Sequence, residues 1–157
     1  MFEKNNTPYA IINLIGRAFI SDQNQDPFVM INSILESIPT EVKIKILDFH
    51  AEATSEKQAM GFWCAGKLSL VYGTHIHVQT ADERIINGTG FITDIGMCGA
   101  YDSIIGMRKD LVLSRFLTGQ RVRLSPGENE PWFCGLLCDI NKDTGICEKI
   151  ERICWRY

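Results

Sequence analysis

Apolar residues fall along this chain in short solid runs and in one-sided patterns, the signatures of strands buried on both faces and of helices lying against them. The run Tyr9–Ile15 ends at Gly16 and predicts a strand. Phe28, Ile31, Ile34, Leu35 and Ile38 recur at helical spacing and predict a helix from Pro27 to Ile38. Val42 to Leu47 alternates and then turns fully apolar, a second strand that delivers Asp48-Phe49-His50 at its carboxyl end. A helix follows to about Ala65, capped by Thr54 or by Ser55, whose spacing to Gln58 suits a capping box. Leu68–Tyr72 is a third strand and Gly90–Gly96 a fourth, after which a glycine-bearing loop runs to Gly106 and a helix from Lys109 to Leu117 stops near Gly119. The end of the chain differs: Trp132–Ile140 and Ile146–Trp155 read as a hairpin around Asn141–Gly145. This order defines an α/β fold in a single domain over residues 1–157, with no repeat, linker or low-complexity tract.

Composition agrees with that domain. The chain has 157 residues, 45% hydrophobic and 22% charged, enough to bury a core without staples. A formal charge of −3 gives no general attraction to nucleic acid or anionic membrane. No stretch is apolar for long enough to span a bilayer, and the polar start Met1–Asn6 does not read as a signal peptide, so a cytoplasmic chain is expected. Six cysteines occur without a Cys-x-x-Cys pair, which favours reduced thiols over a disulfide framework or a zinc site. Cys134 and Cys138 share one strand face and serve as small core residues.

The candidate chemistry lies in the histidines. The chain has three, and each is delivered at the carboxyl end of a buried strand, where ligand-binding loops of α/β sheets gather. His75 and His77, two positions apart, would point to the same side if extended, about 6–7 Å apart along the chain. They could grip one ion or serve one ion each of a pair, while Asp48, Glu52 and Asp82 are candidates to orient the rings through their other nitrogens. Zinc, iron, manganese and nickel all suit imidazole. Surface histidines without a metal remain the alternative, and three histidines without a bridging carboxylate are a poor site for two ions.

Three segments carry a resemblance. Asp48–Lys57, Gly73–Arg84, and Ile92–Met97 with Tyr101-Asp102-Ser103 and Gly106-Met107 closely resemble the YmdB-type family of bacterial calcineurin-like metallophosphoesterases. The likeness extends from Ile12–Arg17 to Lys149–Ile153. It implies a layered α-β-β-α sandwich represented here by about its second half, and a dinuclear iron or manganese site that hydrolyses phosphodiesters such as 2′,3′-cyclic nucleotides. His50 and His75 would then ligate one ion and His77 the other, with Thr74 and the backbone at Gly73 orienting the loop. Family members begin with a further segment that supplies an Asp, a Glu-Asn pair with the bridging carboxylate, and an Asn-His pair whose His is the general acid. This chain is expected to start beyond them, to hold at most one ion alone, and to act only with a separate N-terminal half; a homo-oligomer is left open. Cys98 and Ala100 stand where the family has Thr and Pro, so the loop after Gly96 is expected to be less rigid and Cys98, if exposed, reactive. The alternatives are a non-catalytic, truncated metal-binding module, or a nucleic-acid-binding surface at Arg108, Lys109, Arg115, Arg121 and Arg123, charges that read better as a solvated face.

Overall fold

The computed structural model describes residues 1–20 and 25–156. In chain order they form β1 (Phe2–Lys4), β2 (Thr7–Ile15), α1 (Pro27–Ser37), β3 (Ile44–His50), α2 (Thr54–Cys64), β4 (Leu70–Thr74), β5 (Arg84–Ile86), β6 (Thr89–Ile92), β7 (Cys98–Ala100), α3 (Lys109–Thr118), β8 (Pro131–Ile140) and β9 (Cys147–Arg156). The architecture is mixed α/β, as the pattern predicts.

The larger sheet has the order β1-β2-β3-β4-β6-β5. Strands β2, β3, β4 and β6 run parallel, and β1 and β5 close the edges antiparallel. Register sets Ile12, Leu47, Val71 and Phe91 side by side across the four parallel strands. Residues level with one another in a sheet share a face, and this row is covered by Ile31 of α1 and by Met60 and Cys64 of α2, which join it in one core. The solid apolar runs of β4 and β6 follow from burial on both faces. On the opposite face Gly90 lies against Cys147 and Ile150 of β9, so the smaller sheet, β7-β8-β9, covers the β4–β6 side. Ile11 and Asn13 of β2 stay exposed there.

One side chain stitches the two sheets. The Gln79 amide nitrogen lies 3.2 Å from the Ile95 carbonyl, 3.1 Å from that of Gly135 in β8 and 3.3 Å from that of Ile153 in β9. The hairpin is as predicted, and Cys134 and Cys138 face the same way, the first buried and the second half-buried. All six cysteines are free, and Cys98 is exposed.

Some expectations need correction. Helix α2 is not capped by Thr54 or Ser55: Ala53 is its N-cap, with no side-chain bond. Glu56 in its first turn turns outward instead, accepting from the Arg17 and Ala18 amides at 2.8 and 3.2 Å, so this helix start is tied to the loop after β2. Helix α1 does follow local rules, with the Asp26 carboxylate accepting from Phe28 N at 2.9 Å and Pro27 opening the helix. Strands β3 and β4 run two or three residues further than the apolar runs, to His50 and Thr74, and the fourth parallel strand stops at Ile92. Strands β1, β5 and β7, three residues each, are too short to show a period. No helix among the described residues is long and apolar enough to cross a membrane.

Helix α2 approaches the sheet closely through Gly61, where a Cβ would run into the Phe91 ring. An alanine in a helix interior ordinarily gains about 1 kcal/mol over glycine. Here Gly61→Ala should instead destabilise, by about 1–3 kcal/mol, because the fully buried Phe91 has nowhere to move. The urea midpoint of the variant against the parent measures the sign.

Candidate functional site

His50 ends β3 and His75 directly follows β4, its parallel neighbour. The two imidazoles meet edge to face, centroids 4.8 Å apart, with His50 Nε2 and His75 Nδ1 separated by 3.1 Å. The other ring nitrogens are spoken for. His75 Nε2 lies 2.7 Å from Glu52 Oε2. His50 Nδ1 lies 3.1 Å from Thr74 Oγ1, and that hydroxyl lies 2.8 Å from Asp48 Oδ1.

Proton counting along these contacts defines the pair. A carboxylate only accepts, so Thr74 gives its one hydrogen to Asp48 and accepts from His50 Nδ1–H. Glu52 likewise accepts from His75 Nε2–H. With both rings neutral, His50 Nε2 and His75 Nδ1 each present a lone pair to the other at 3.1 Å. Two facing lone pairs require a cation between them, a proton or a metal ion. Nitrogens each about 2.0–2.1 Å from a common ion stand roughly 2.8–3.4 Å apart at right-angle or tetrahedral geometry, so this donor set fits two ligands of one ion. Glu52 and Thr74–Asp48 are the partners that fix ring orientation in such sites.

His77 is not part of this pair. The residues at 75 and 77 are not extended: His75 has φ 107° and His77 φ 67°, so the same-side geometry expected of an i, i+2 pair does not arise. The His77 ring donates through Nδ1 to the Ile105 carbonyl at 2.9 Å, which leaves Nε2 as its lone-pair nitrogen. Asp82 also departs from expectation and touches no histidine. It accepts from Thr80 Oγ1 at 2.6 Å, Thr93 N at 3.1 Å and Thr93 Oγ1, tying the loop after His77 to the end of β6. Among the described residues no group of three or more His, Cys, Asp or Glu side chains is placed to hold one ion.

What holds the histidine loop in its strained path is a pair that spacing did not reveal. Lys57 of α2 and Asp94 are 1% and 0% exposed and meet at 2.8 Å. Asp94 also accepts from Ile76 N, between the two histidines, at 3.2 Å and from Gly96 N at 2.9 Å. Gly73 permits this: a Cβ there would strike the Thr93 carbonyl and the Lys57 stem. A lone charge in Phe91–Ile95 was the available signal. The basic residues weighed as a nucleic-acid surface include two in local ion pairs, Arg108 with Asp110 and Lys109 with Asp102.

A mixed α/β domain with histidines at the carboxyl ends of adjacent parallel strands is of the class that binds its ligands in the crevice at that edge of the sheet. Residues 1–153 match the model of the YmdB-like protein family, and the chain belongs to that family. It is 43% identical over 150 residues to a 2′,3′-cyclic-nucleotide 2′-phosphodiesterase of Bacillus subtilis (strain 168), covering 95% of this chain and 56% of that protein. It is 31% identical over 156 residues to a putative phosphatase/phosphodiesterase of Mycoplasma pneumoniae, covering 98% of this chain and 55% of that protein. Among solved structures, a hypothetical protein from Thermus thermophilus superposes with a TM-score of 0.90 at 33% identity, over 99% of this chain and 60% of that one. A structure titled a novel phosphatase, from Mycoplasma pneumoniae, gives 0.89 at 31% identity, over 99% and 56%. The chain thus spans a little over half the length of the relatives it matches.

Lys57→Met leaves Asp94 buried without its counter-ion and should cost about 3–5 kcal/mol in urea unfolding, whereas Lys109→Met, in an exposed pair, should cost little that is measurable. Burial alone would raise the Asp82 carboxyl, but hydrogen bonds from Thr80 and Thr93 and the charge of Arg84 outweigh it and hold the group below its ordinary value. A depressed carboxyl stabilises the fold above its unfolded value, near about 3.9, and that contribution fades as pH falls through the lower folded value. Urea midpoints taken from neutral pH down to about pH 3 should therefore fall more steeply for the parent than for Asp82→Asn.

Proposed function

We propose that this chain is part of a metal-dependent phosphodiesterase in which His50 and His75 hold one divalent ion and His77 a second. The single observation that carries the reading is the His50 Nε2–His75 Nδ1 contact at 3.1 Å, flanked by Glu52 and by Thr74 with Asp48. The relatives named as phosphodiesterases support the reaction class, and a 2′,3′-cyclic nucleotide is the substrate class that the Bacillus name suggests. Iron and manganese suit imidazole donors joined by carboxylates.

Each residue here has a defined task. Glu52 and the Thr74–Asp48 pair keep one nitrogen of each imidazole protonated and turn the other inward as a lone pair. The Ile105 carbonyl does the same for His77. Divalent ions held by these donors supply the Lewis acidity that phosphoester hydrolysis needs.

Two converging nitrogens are fewer donors than a divalent ion takes. We infer that the remaining ligands, a bridging carboxylate among them, and the general acid come from residues outside these 157, on the same polypeptide or on a separate one. By the same reading the two sheets form the inner layers of an α-β-β-α sandwich.

Calorimetric titration of the chain with Mn²⁺ should show about one ion, lost on His50→Ala or His75→Ala. Hydrolysis of a 2′,3′-cyclic nucleotide should be absent for the chain alone, appear when the remaining segment of the Bacillus relative is added, and vanish again on His77→Ala. Two tightly held ions with turnover by these 157 residues alone would overturn the inference of outside ligands, and silence in the mixture with no Mn²⁺ bound would overturn the phosphodiesterase reading.

A further inference from the structure

Beside His77 the loop after β4, the segment around β7 and the β8–β9 hairpin enclose a cavity of about 350 Å³. Small-molecule sites begin at about 300 Å³, so this one suits a single ring system with its sugar. Met97, Tyr101, Ile105 and Trp132 contribute apolar or aromatic wall, and Arg152 with Ser103 contributes the polar edge. No acidic side chain lines it among the described residues. Tyr101 and Trp132 meet edge to face with centroids 4.3 Å apart, and the Arg156 guanidinium lies 3.8 Å from the Tyr101 ring centroid. The Trp132 indole N–H is already committed, donating to Cys154 Sγ at 2.6 Å, so what this residue offers a ligand is ring surface.

The mouth is strained. Ile105, a β-branched residue, sits at φ 47°, a conformation such residues rarely adopt. Ser103 holds it there, donating to the Ala100 carbonyl at 2.5 Å and accepting from Gly106 N at 2.9 Å. The strained Ile105 carbonyl in turn accepts from His77 at 2.9 Å. Strain kept at two facing residues, one of them a histidine of the candidate centre, marks a position that the surrounding structure over-determines.

We propose that this cavity seats the base of a nucleotide-type phosphoester whose phosphate lies at the histidines. The inference rests on the phosphodiesterase reading for the phosphate and on the cavity alone for the base. Aromatic faces stack with any nucleobase, while the Arg152 N–H groups not engaged by Glu83 can donate to the base edge and the Ser103 oxygen, whose hydrogen goes to the Ala100 carbonyl, can accept. The lining itself carries no carboxylate among the described residues, and Glu83, which touches it through Arg152, is paired by that guanidinium, so a negative ester is tolerated alongside.

The test titrates the purified chain with adenosine and with uridine by calorimetry, with ribose as the base-free control. Both nucleosides should bind saturably and ribose should not. Trp132→Leu should weaken binding roughly tenfold to a hundredfold, the scale of base–aromatic stacking, and Trp132→Phe should restore most of it. Nucleosides binding no better than ribose would overturn the proposal, as would undiminished binding by a Trp132→Leu protein with the parent's melting temperature. If both Trp132 variants fail to fold, photo-crosslinking of 8-azidoadenosine to the unsubstituted chain decides: label on peptides holding Val78, Met97 or Tyr101 supports the site, and label elsewhere or none rejects it. Failure of the phosphodiester reading shows separately, as no hydrolysis of a base-free ribose 2′,3′-cyclic phosphate by the completed protein. Nucleoside binding that persists in that case still supports the base site.

Discussion

The contact on which the rest of this structure depends is the buried ion pair between Lys57 and Asp94. Taking two charges out of water is costly, and their attraction in the interior repays it only when geometry is good and the remaining lone pairs are satisfied. Asp94 meets that condition through three donors on three different elements: the ammonium from α2, the Ile76 amide in the histidine loop and the Gly96 amide at the turn toward the smaller sheet. Its own backbone joins in, with the amide donating to Thr80 Oγ1 and the carbonyl accepting from Thr80 N. An apolar pair of similar volume could fill the space but could not fix those two amides. The pair therefore acts in positioning more than in net stability, and Gly73 makes it possible by leaving room for the Lys57 stem beside the Thr93 carbonyl.

That anchoring explains how the backbone carries positive φ at His75 and His77, while Ser103 holds the positive φ of Ile105 that faces them. Each such residue is unfavourable by roughly 1–3 kcal/mol, and none of the three is a glycine. The strain redirects the rings. With an extended backbone the two loop histidines would have lain side by side; bent as it is, His75 turns back to His50 and His77 turns toward the Ile105 carbonyl. One loop thus serves two places on the sheet edge with one histidine each.

Much of the fold is legible in the sequence because strands buried on both faces write themselves as solid apolar runs, as around Val71 and Phe91, and the same runs extend over Ile12 and Leu47, whose strands have one face more open. The placement of His50 and His75 at strand ends follows from the same runs. Local rules fail where tertiary contacts compete. Thr54 and Ser55 look like caps, yet the first turn of α2 is tied to the loop after β2 through Glu56, 39 positions from Arg17. Asp82 looks like a partner for histidine, yet Thr80 and Thr93 claim it. Lys57 and Asp94 are 37 positions apart in separate motifs, and no spacing rule joins them. Spacing misjudges the relation of His75 to His77 for a physical reason: an i, i+2 argument holds only for extended backbone, and φ is set here by Asp94, not by the histidines' neighbours in sequence.

The two sheets divide the work. The parallel sheet brings lone pairs together: β3 and β4 end at the same level, His50 opposite Thr74, so that Asp48, Thr74 and Glu52 can fix which nitrogen of each ring is free. The antiparallel sheet and the residues flanking β7 supply a wall of Trp132, Tyr101 and Met97. Gln79 joins them, its single amide nitrogen within hydrogen-bonding reach of a carbonyl from each strand of the hairpin and of Ile95 beside Asp94. A shift of the hairpin would therefore pull on the same loop that carries His77. Since His77 lines the cavity and also faces the Ile105 carbonyl, the position of the aromatic wall and that of the third imidazole are coupled through covalent chain and hydrogen bonds. A ligand that fills the one reads the geometry of the other.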